Sequence, residues 1–292
     1  MLLMLLVAAA LAAQDAEATE QQEPDEQQEQ AEEQEGTTGA SPWQAQIFSS
    51  NTNWTPEELG QRDAWDLAHK CGGTLIAQGW VLTAAHCINQ QRIANGNRIR
   101  LGADYIDNDE GVTFRIDRMV RHADWNKKGK HSYDIALVHF VADAMTNPTH
   151  AGPIAPIPLY AGPPLDSGVN VYATGWGQLE SGKDKGFESE LTMAVLKTVD
   201  CADYPQYQGE VFEYQMCAGP REEGATDDTC TGDSGGPLVL DADDRRLVGV
   251  VNWGKGCFEE GGAGIYLRID NQHFRDWIDR AMAADPSISE LR

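Results

Sequence analysis

Residues 227–237 read Asp-Asp-Thr-Cys-Thr-Gly-Asp-Ser-Gly-Gly-Pro, a tight stretch built around one hydroxyl. A serine is a poor nucleophile near neutral pH. It needs a base to take its proton, a group to orient that base, and donors for the oxyanion that forms when it attacks a carbonyl. Ser234 carries the local part of that equipment. Gly232 and the Gly235-Gly236 pair let the backbone turn sharply, which leaves the N–H groups of Gly232 and Ser234 free to point at one spot. Gly-rich turns with Asp and Ser are common in β proteins, so the partners decide the matter. An imidazole and a carboxylate stand far off in the chain, in Leu82-Thr-Ala-Ala-His86-Cys87 and Asp134-Ile-Ala-Leu137. Taken singly, a histidine in an apolar stretch is more often a core residue, and an aspartate opening a strand is more often a cap.

The flanking motifs reverse those odds. Cys71-Gly-Gly-Thr-Leu-Ile76, Pro42-Trp-Gln44, Gly175-Trp-Gly177, Met216-Cys-Ala-Gly219 and Asn252-Trp-Gly-Lys-Gly-Cys257 accompany them in one order. Together they resemble the trypsin-like serine endopeptidases of the chymotrypsin fold, from about Pro42 to Ile278. The resemblance implies an all-β fold: two six-stranded antiparallel barrels with a C-terminal helix and the active site in the cleft between the barrels. It implies His86 as general base, Asp134 as the acid that holds its ring, and Ser234 as the nucleophile. The amides of Gly232 and Ser234 are then the oxyanion hole that accompanies this family's triad. It also implies disulfides Cys71–Cys87, Cys201–Cys217 and Cys230–Cys257, each contributing roughly 3 kcal/mol.

None of the three aspartates near Ser234 is the triad acid. Asp228, six positions earlier, matches the floor of the family's primary specificity pocket, where a buried carboxylate is costly until a cation arrives. Gly254 and Gly264 match the open walls of that pocket, and Thr229, Asn252 and Trp253 complete the substrate-binding set. Cleavage after Arg or Lys is expected, with Arg favoured by bidentate pairing. Asp233 resembles the structural acid that the family neutralises with a new N-terminal ammonium. The chain departs from the pattern there, because Ala-Ser precedes Pro42 in place of the family's Ile/Val-Val-Gly-Gly start. Asp233 must therefore find another cation, become protonated, or turn outward as in a zymogen. The insertion between Gln44 and Cys71 holds Arg62, His69 and Lys70, and the expectation is that Arg62 or Lys70 supplies the cation and the enzyme works as a single chain. A specificity lid and a plain surface loop are the other uses of that insertion.

Two further departures stand out. Asn252 replaces the Ser usual beside the triad acid, where its amide could donate to Asp134. Ala103 and Thr113 replace two acids of the family's calcium loop, which leaves Asp104, Asp107, Asp109 and Glu110 but no usual calcium site. No cofactor and no metal are expected.

The elements that must position these residues are short strands. WVLTAAHC, VTFRIDRMV, IALVHF, VNVYATGWG, RLVGVVNWG and GIYLRI are β-branched or aromatic runs bounded by Gly, Pro, Asn and Asp, the pattern of a sandwich or barrel. The Pro-rich stretch 148–164 cannot lie inside a sheet and reads as the connector between barrel 1 (about 40–150) and barrel 2 (about 160–270). Phe274, Trp277, Ile278 and Ala281 fall at helical spacing behind a cap at Asp270 or Asn271, predicting a helix over about 271–283. A second helix is predicted from Thr55-Pro56-Glu57-Glu58 onward toward Trp65 and Leu67, although Gly60 interrupts it.

The 292 residues carry a formal charge of −24, and ten of the 46 acids lie between Asp15 and Glu35 with no Lys or Arg before Arg62. Without those ten the rest is still −14, which argues against nucleic acid or anionic lipid as partner. Protein or peptide substrates with Arg or Lys at the cut, and protein inhibitors, are the expected partners. Residues 1–13 read as a signal peptide: an apolar run too short to span a bilayer, ending in Ala10-Leu11-Ala12. Residues 14–36 form an acidic Gln/Glu-rich spacer expected to stay disordered, leaving the peptidase domain at 37–292. Six cysteines in an exported chain favour a disulfide framework, with a secreted destination, extracellular or periplasmic. A catalytically silent, protease-like binding protein is the alternative to the enzyme.

Overall fold

A computed structural model describes residues 41–144, 150–179, 186–257 and 262–292. The signal-peptide and spacer assignments lie outside these residues. The β-branched runs form strands that close into two antiparallel barrels. In the first barrel the strands are β1 (Gln44–Ser49), β2 (His69–Ala77), β3 (Trp80–Thr83), β4 (Asn97–Leu101), β5 (Val112–His122) and β6 (Ala136–Ala144). They run β5-β4-β1-β2-β3-β6, and pairing of β5 with β6 closes the ring. The second barrel, in the order β10-β11-β12-β9-β8-β7, closes from β7 (Asn170–Gly175), β8 (Thr192–Val199), β9 (Gln215–Pro220), β10 (Pro237–Leu240), β11 (Leu247–Trp253) and β12 (Gly264–Arg268). Closure leaves neither sheet with a long bare edge.

The described part of the Pro-rich connector, from residue 150, carries no regular element but is tacked to both barrels. Ile157 N–H donates to Leu75 O at 3.0 Å, and Leu247 N–H donates to Pro158 O at 3.0 Å. The main core runs continuously from barrel 1 (Val81, Leu82, Leu137, Val138) to Val250 and Leu267 of barrel 2. The two barrels therefore share one packed core.

Helices are few. The predicted insertion helix is two short ones, broken at Gly60 as its sequence suggested: α1 (Pro56–Leu59) and α2 (Ala64–Ala68). Thr55 and Glu58 form a reciprocal capping box on α1. A single turn, α3 (Gln90–Ala94), follows the His86 segment, capped by Asn89. The C-terminal helix α4 spans Gln272–Ala283 with Asn271 as its cap, and Phe274, Trp277, Ile278 and Ala281 are fully buried. Beyond it, β13 (Glu290–Leu291) pairs in parallel with β5, an addition to barrel 1 that the sequence pattern did not signal.

Candidate active site

His86, Asp134 and Ser234 come from three different segments. His86 lies in a one-turn 3-10 segment, Ala85–Cys87, that ends β3, and the next residue is bonded to β2 through the Cys71–Cys87 disulfide. Asp134 sits just ahead of β6, at the end of a strained loop in which Asn126, His131 and Tyr133 all have positive φ (59°, 62° and 49°). Ser234 lies in the turn before β10. Two glycines allow that turn: Gly235 has φ +82°, and a Cβ there would lie 2.1 Å from Thr83 Oγ1. On Gly72, a Cβ would lie 2.9 Å from Gly236 Cα, so β2 can approach the serine turn only because it is bare.

The Asp134 carboxylate is wholly buried, and both oxygens are engaged by His86: the backbone N–H donates to Oδ1 at 2.9 Å, and Nδ1 lies 2.7 Å from Oδ2. A carboxylate only accepts, so Nδ1 is the donor, and in the neutral ring the lone pair is then on Nε2. His86 and Ser234 line one cleft of about 400 Å³ with His131, Thr229, Trp253 and Gly254. Asn252 reaches Asp134 differently from the sequence expectation. Its Nδ2 donates to the backbone carbonyl of Asp134 at 3.0 Å, while Gln215 Nε2 lies 3.4 Å from its Oδ1.

Around Ser234 the backbone is gripped from barrel 1. Gly72 N–H donates to Ser234 O at 2.9 Å, and His69 Nε2 lies 3.1 Å from Gly232 O. Gly232 has φ +105°, and neither its N–H nor that of Ser234 has an acceptor among the described residues. Two donors without protein partners beside a serine hydroxyl are what an oxyanion would need.

Of the residues expected to bind substrate, Thr229, Asn252, Trp253 and Gly254 line this cleft, whereas Asp228 and Gly264 are not among its lining residues. A Cβ on Gly254 would stand 4.0 Å from Gly264 Cα, and one on Gly264 would stand 3.0 Å from Thr229 Oγ1, so the two bare walls face each other. The Cys230–Cys257 disulfide joins those walls, and Cys201–Cys217 completes the three bridges. Asp228 is buried, with its Oδ1 accepting from Thr229 N–H at 2.8 Å. It borders a separate cavity of about 210 Å³ together with Thr229, Asp233, Gly175 and Gly177, and Thr229 lines both this cavity and the cleft. Burial and the nearby Asp228 push the Tyr266 hydroxyl, which bonds Thr229 Oγ1, well above its usual range.

Asp233 corrects the sequence expectation. It is turned inward, its Oδ1 accepting from Gly177 N–H and its Oδ2 from Cys230 N–H, each at 2.8 Å. No cation among the described residues pairs with it. Arg62 instead holds Asp66 through Nε and Nη2 at 2.5 and 2.6 Å, and Lys70 donates to Leu67 O at 2.6 Å and lies over the Trp54 ring. The insertion folds its own helices with these charges and has none to spare for Asp233. A Cβ on Gly175 or Gly177 would fall 2.0 or 2.2 Å from the carboxylate, which explains the two glycines of the Gly-Trp-Gly motif.

Burial raises the Asp233 carboxyl from its ordinary 3.8 to about 6, against the two backbone donors that favour ionisation. The folded chain thus keeps this proton up to about pH 6, whereas the unfolded chain releases it near 4. The stability that protonation confers is complete below pH 4 and is lost as pH rises through 6. A shift of this size corresponds to roughly 3 kcal/mol. Urea unfolding of the wild type and of Asp233→Asn at pH 4, 5, 6 and 7 is expected to show the difference between them changing by about that amount across the window. A difference flat with pH would contradict a buried Asp233 without a counter-ion.

Several neighbours of the site escaped the sequence reading. His131 stacks on Trp253 with ring centroids 4.9 Å apart. Tyr207 lies beneath Gly254, its hydroxyl donating to Ala263 O and accepting from Lys255 N–H. Neither has a local motif; the partners lie in distant segments.

Comparison with known proteins agrees with this architecture. The trypsin domain profile matches residues 31–278. The chain is 35% identical over 218 residues to trypsin-2 of Salmo salar, covering 74% of this chain and 86% of that one. It is 30% identical over 246 residues to transmembrane protease serine 5 of Homo sapiens, covering 82% of this chain and 49% of that one. It is also 30% identical over 247 residues to tissue-type plasminogen activator of Bos taurus, covering 81% and 41%. The chain thus spans less than half the length of the latter two proteins. Among solved structures, neuropsin, a serine protease expressed in the limbic system of mouse brain, superposes with a TM-score of 0.64 at 29% identity, covering 84% of this chain and 96% of that one. The chain belongs to the trypsin family of serine proteases. Members of that family are hydrolases that act on proteins and are bound by protein inhibitors.

Proposed function

We propose that the protein is a secreted endopeptidase that cuts after Arg or Lys through an acyl-enzyme on Ser234. The observation that carries this reading is the His86–Asp134 pair: Nδ1 is committed to a buried carboxylate, so the remaining ring nitrogen is the base available in the cleft that Ser234 shares. Ser234 Oγ attacks the scissile carbonyl as His86 Nε2 takes its proton. The carbonyl oxygen, now negative, accepts from the N–H groups of Gly232 and Ser234. Collapse of the tetrahedral intermediate breaks the C–N bond, and the His86 proton goes to the departing amine. Water then attacks the ester with His86 again as base, releasing the acid and restoring Ser234. Asp228, bonded to the N–H of the cleft-lining Thr229, supplies the charge that a substrate Arg or Lys would meet. Export suits the three disulfides, and no helix among the described residues is long and apolar enough to cross a membrane.

One observation favours a second reading, a silent protease-like binder: Asp233 has no cation among the described residues. An organophosphate probe on the purified mature chain separates the two. Covalent labelling of Ser234, absent in Ser234→Ala, is the result expected of the enzyme. A chain that stays unlabelled while correctly folded is the binder.

A further inference from the structure

Asp233 lacks an ion partner among the described residues, yet the turn that carries Gly232 is held on its far side by a continuous chain of contacts from the insertion. Asp66, in α2, is buried. Its carboxylate receives both guanidinium bonds of Arg62 and a third bond from Phe187 N–H at 2.8 Å. Phe187 belongs to the loop between β7 and β8, and 121 residues separate it from Asp66. Its ring has two close neighbours: the Arg62 guanidinium carbon lies 4.8 Å from the centroid, and the His69 ring meets it at a near-perpendicular 78° with centroids 4.8 Å apart. The same ring abuts Gly232, where an added Cβ would stand 2.9 Å from both Cδ1 and Cε1.

His69 completes the chain. It is buried, and Gln46 Nε2 lies 3.2 Å from its Nδ1. An amide nitrogen can only donate, so Nδ1 accepts and Nε2 carries the hydrogen toward Gly232 O. Burial lowers this imidazole to about 4, so it stays neutral and keeps that one tautomer at neutral pH. Gly232 is thereby pressed by Phe187 and held at its carbonyl by His69, both of which are backed by the insertion.

We infer that Asp66 is a positioning residue: clamped by Arg62, it fixes Phe187 and His69 against Gly232 and so keeps the Gly232 amide aimed into the cleft, with no ammonium at Asp233 among the described residues. The insertion is then an internal brace of the oxyanion hole. This rests on the hydrolytic reading above, in which the Gly232 N–H stabilises the oxyanion. Its loss should act on the transition state more than on substrate binding.

The test uses the full mature chain, a small Arg ester and its thiono counterpart, in which sulfur replaces the carbonyl oxygen and is a poor partner for the hole. Asp66→Ala and Phe187→Ala are each expected to lower kcat about 10- to 100-fold, somewhat less than outright loss of an oxyanion donor. KM should stay within about twofold, and the preference for the oxo over the thiono ester should fall with kcat. Asp66→Asn, which keeps an acceptor for Phe187 N–H, should fall between wild type and Asp66→Ala. The double variant should be no worse than the poorer single one, because both act through one chain of contacts. Unchanged kcat in Asp66→Ala and Phe187→Ala overturns the inference. So does a lower kcat that follows a lower Tm while the oxo-to-thiono preference stays at the wild-type value. A wild-type chain that neither turns over the ester nor labels at Ser234 overturns instead the hydrolytic reading on which it rests.

Discussion

Asp134→Asn is expected to lower kcat for a small Arg ester by about 10⁴, the size this substitution has in the family's best-known member, with the fold intact. The reason lies in the two bonds the carboxylate receives. One asparagine oxygen can still accept from the His86 backbone N–H at the Oδ1 position, but the amide nitrogen then faces Nδ1. Two donors cannot share a hydrogen bond, so the imidazole shifts its proton to Nε2, and the nitrogen that should take the serine proton becomes a donor. Asn252 offers no repair, since its amide is committed to the Asp134 backbone carbonyl. A fall of less than about tenfold would mean that the ring is held by something other than this carboxylate.

Asp228→Ser carries the second large effect. In the proposed specificity, the buried Asp228 carboxylate, bonded to the N–H of the cleft-lining Thr229, pairs with a long cationic side chain that the bare Gly254 and Gly264 admit. Removing the charge leaves an arriving guanidinium or ammonium desolvated and unpaired, and the expected loss in kcat/KM for an Arg ester is about 10⁴. An ester with an uncharged aromatic side chain should be affected by less than about tenfold, because nothing in its recognition needs the carboxylate. Comparing the two substrates on the same preparation separates specificity from damage. Equal losses on both would remove Asp228 from substrate recognition.

The parts of this protein that were legible in the sequence are those written in local pattern. The strand around Val250 was announced by β-branched runs, and α4 by the spacing of Phe274, Trp277, Ile278 and Ala281. His86, Asp134 and Ser234 were legible through motifs that tie each to its own stretch of backbone. What escaped were pairings set by tertiary approach. Arg62 finds Asp66 one turn away rather than the distant Asp233, because a neighbour on the same short segment costs little entropy to reach. The bond from Phe187 to Asp66 joins a loop to an insertion, and neither has a periodicity to read. The parallel pairing of β13 is only two residues long and has no alternation that could announce it.

The last helix and strand bear on how the molecule is made. Trp277 and Phe274 lie against His122, which stacks on Tyr133, the neighbour of Asp134, and Trp277 Nε1 donates to Leu291 O at 2.8 Å. Residues translated some 140 positions after Asp134 therefore complete the wall that supports it. During synthesis barrel 1 therefore completes this wall only once residues 272–291 have been delivered, well after its own six strands are made.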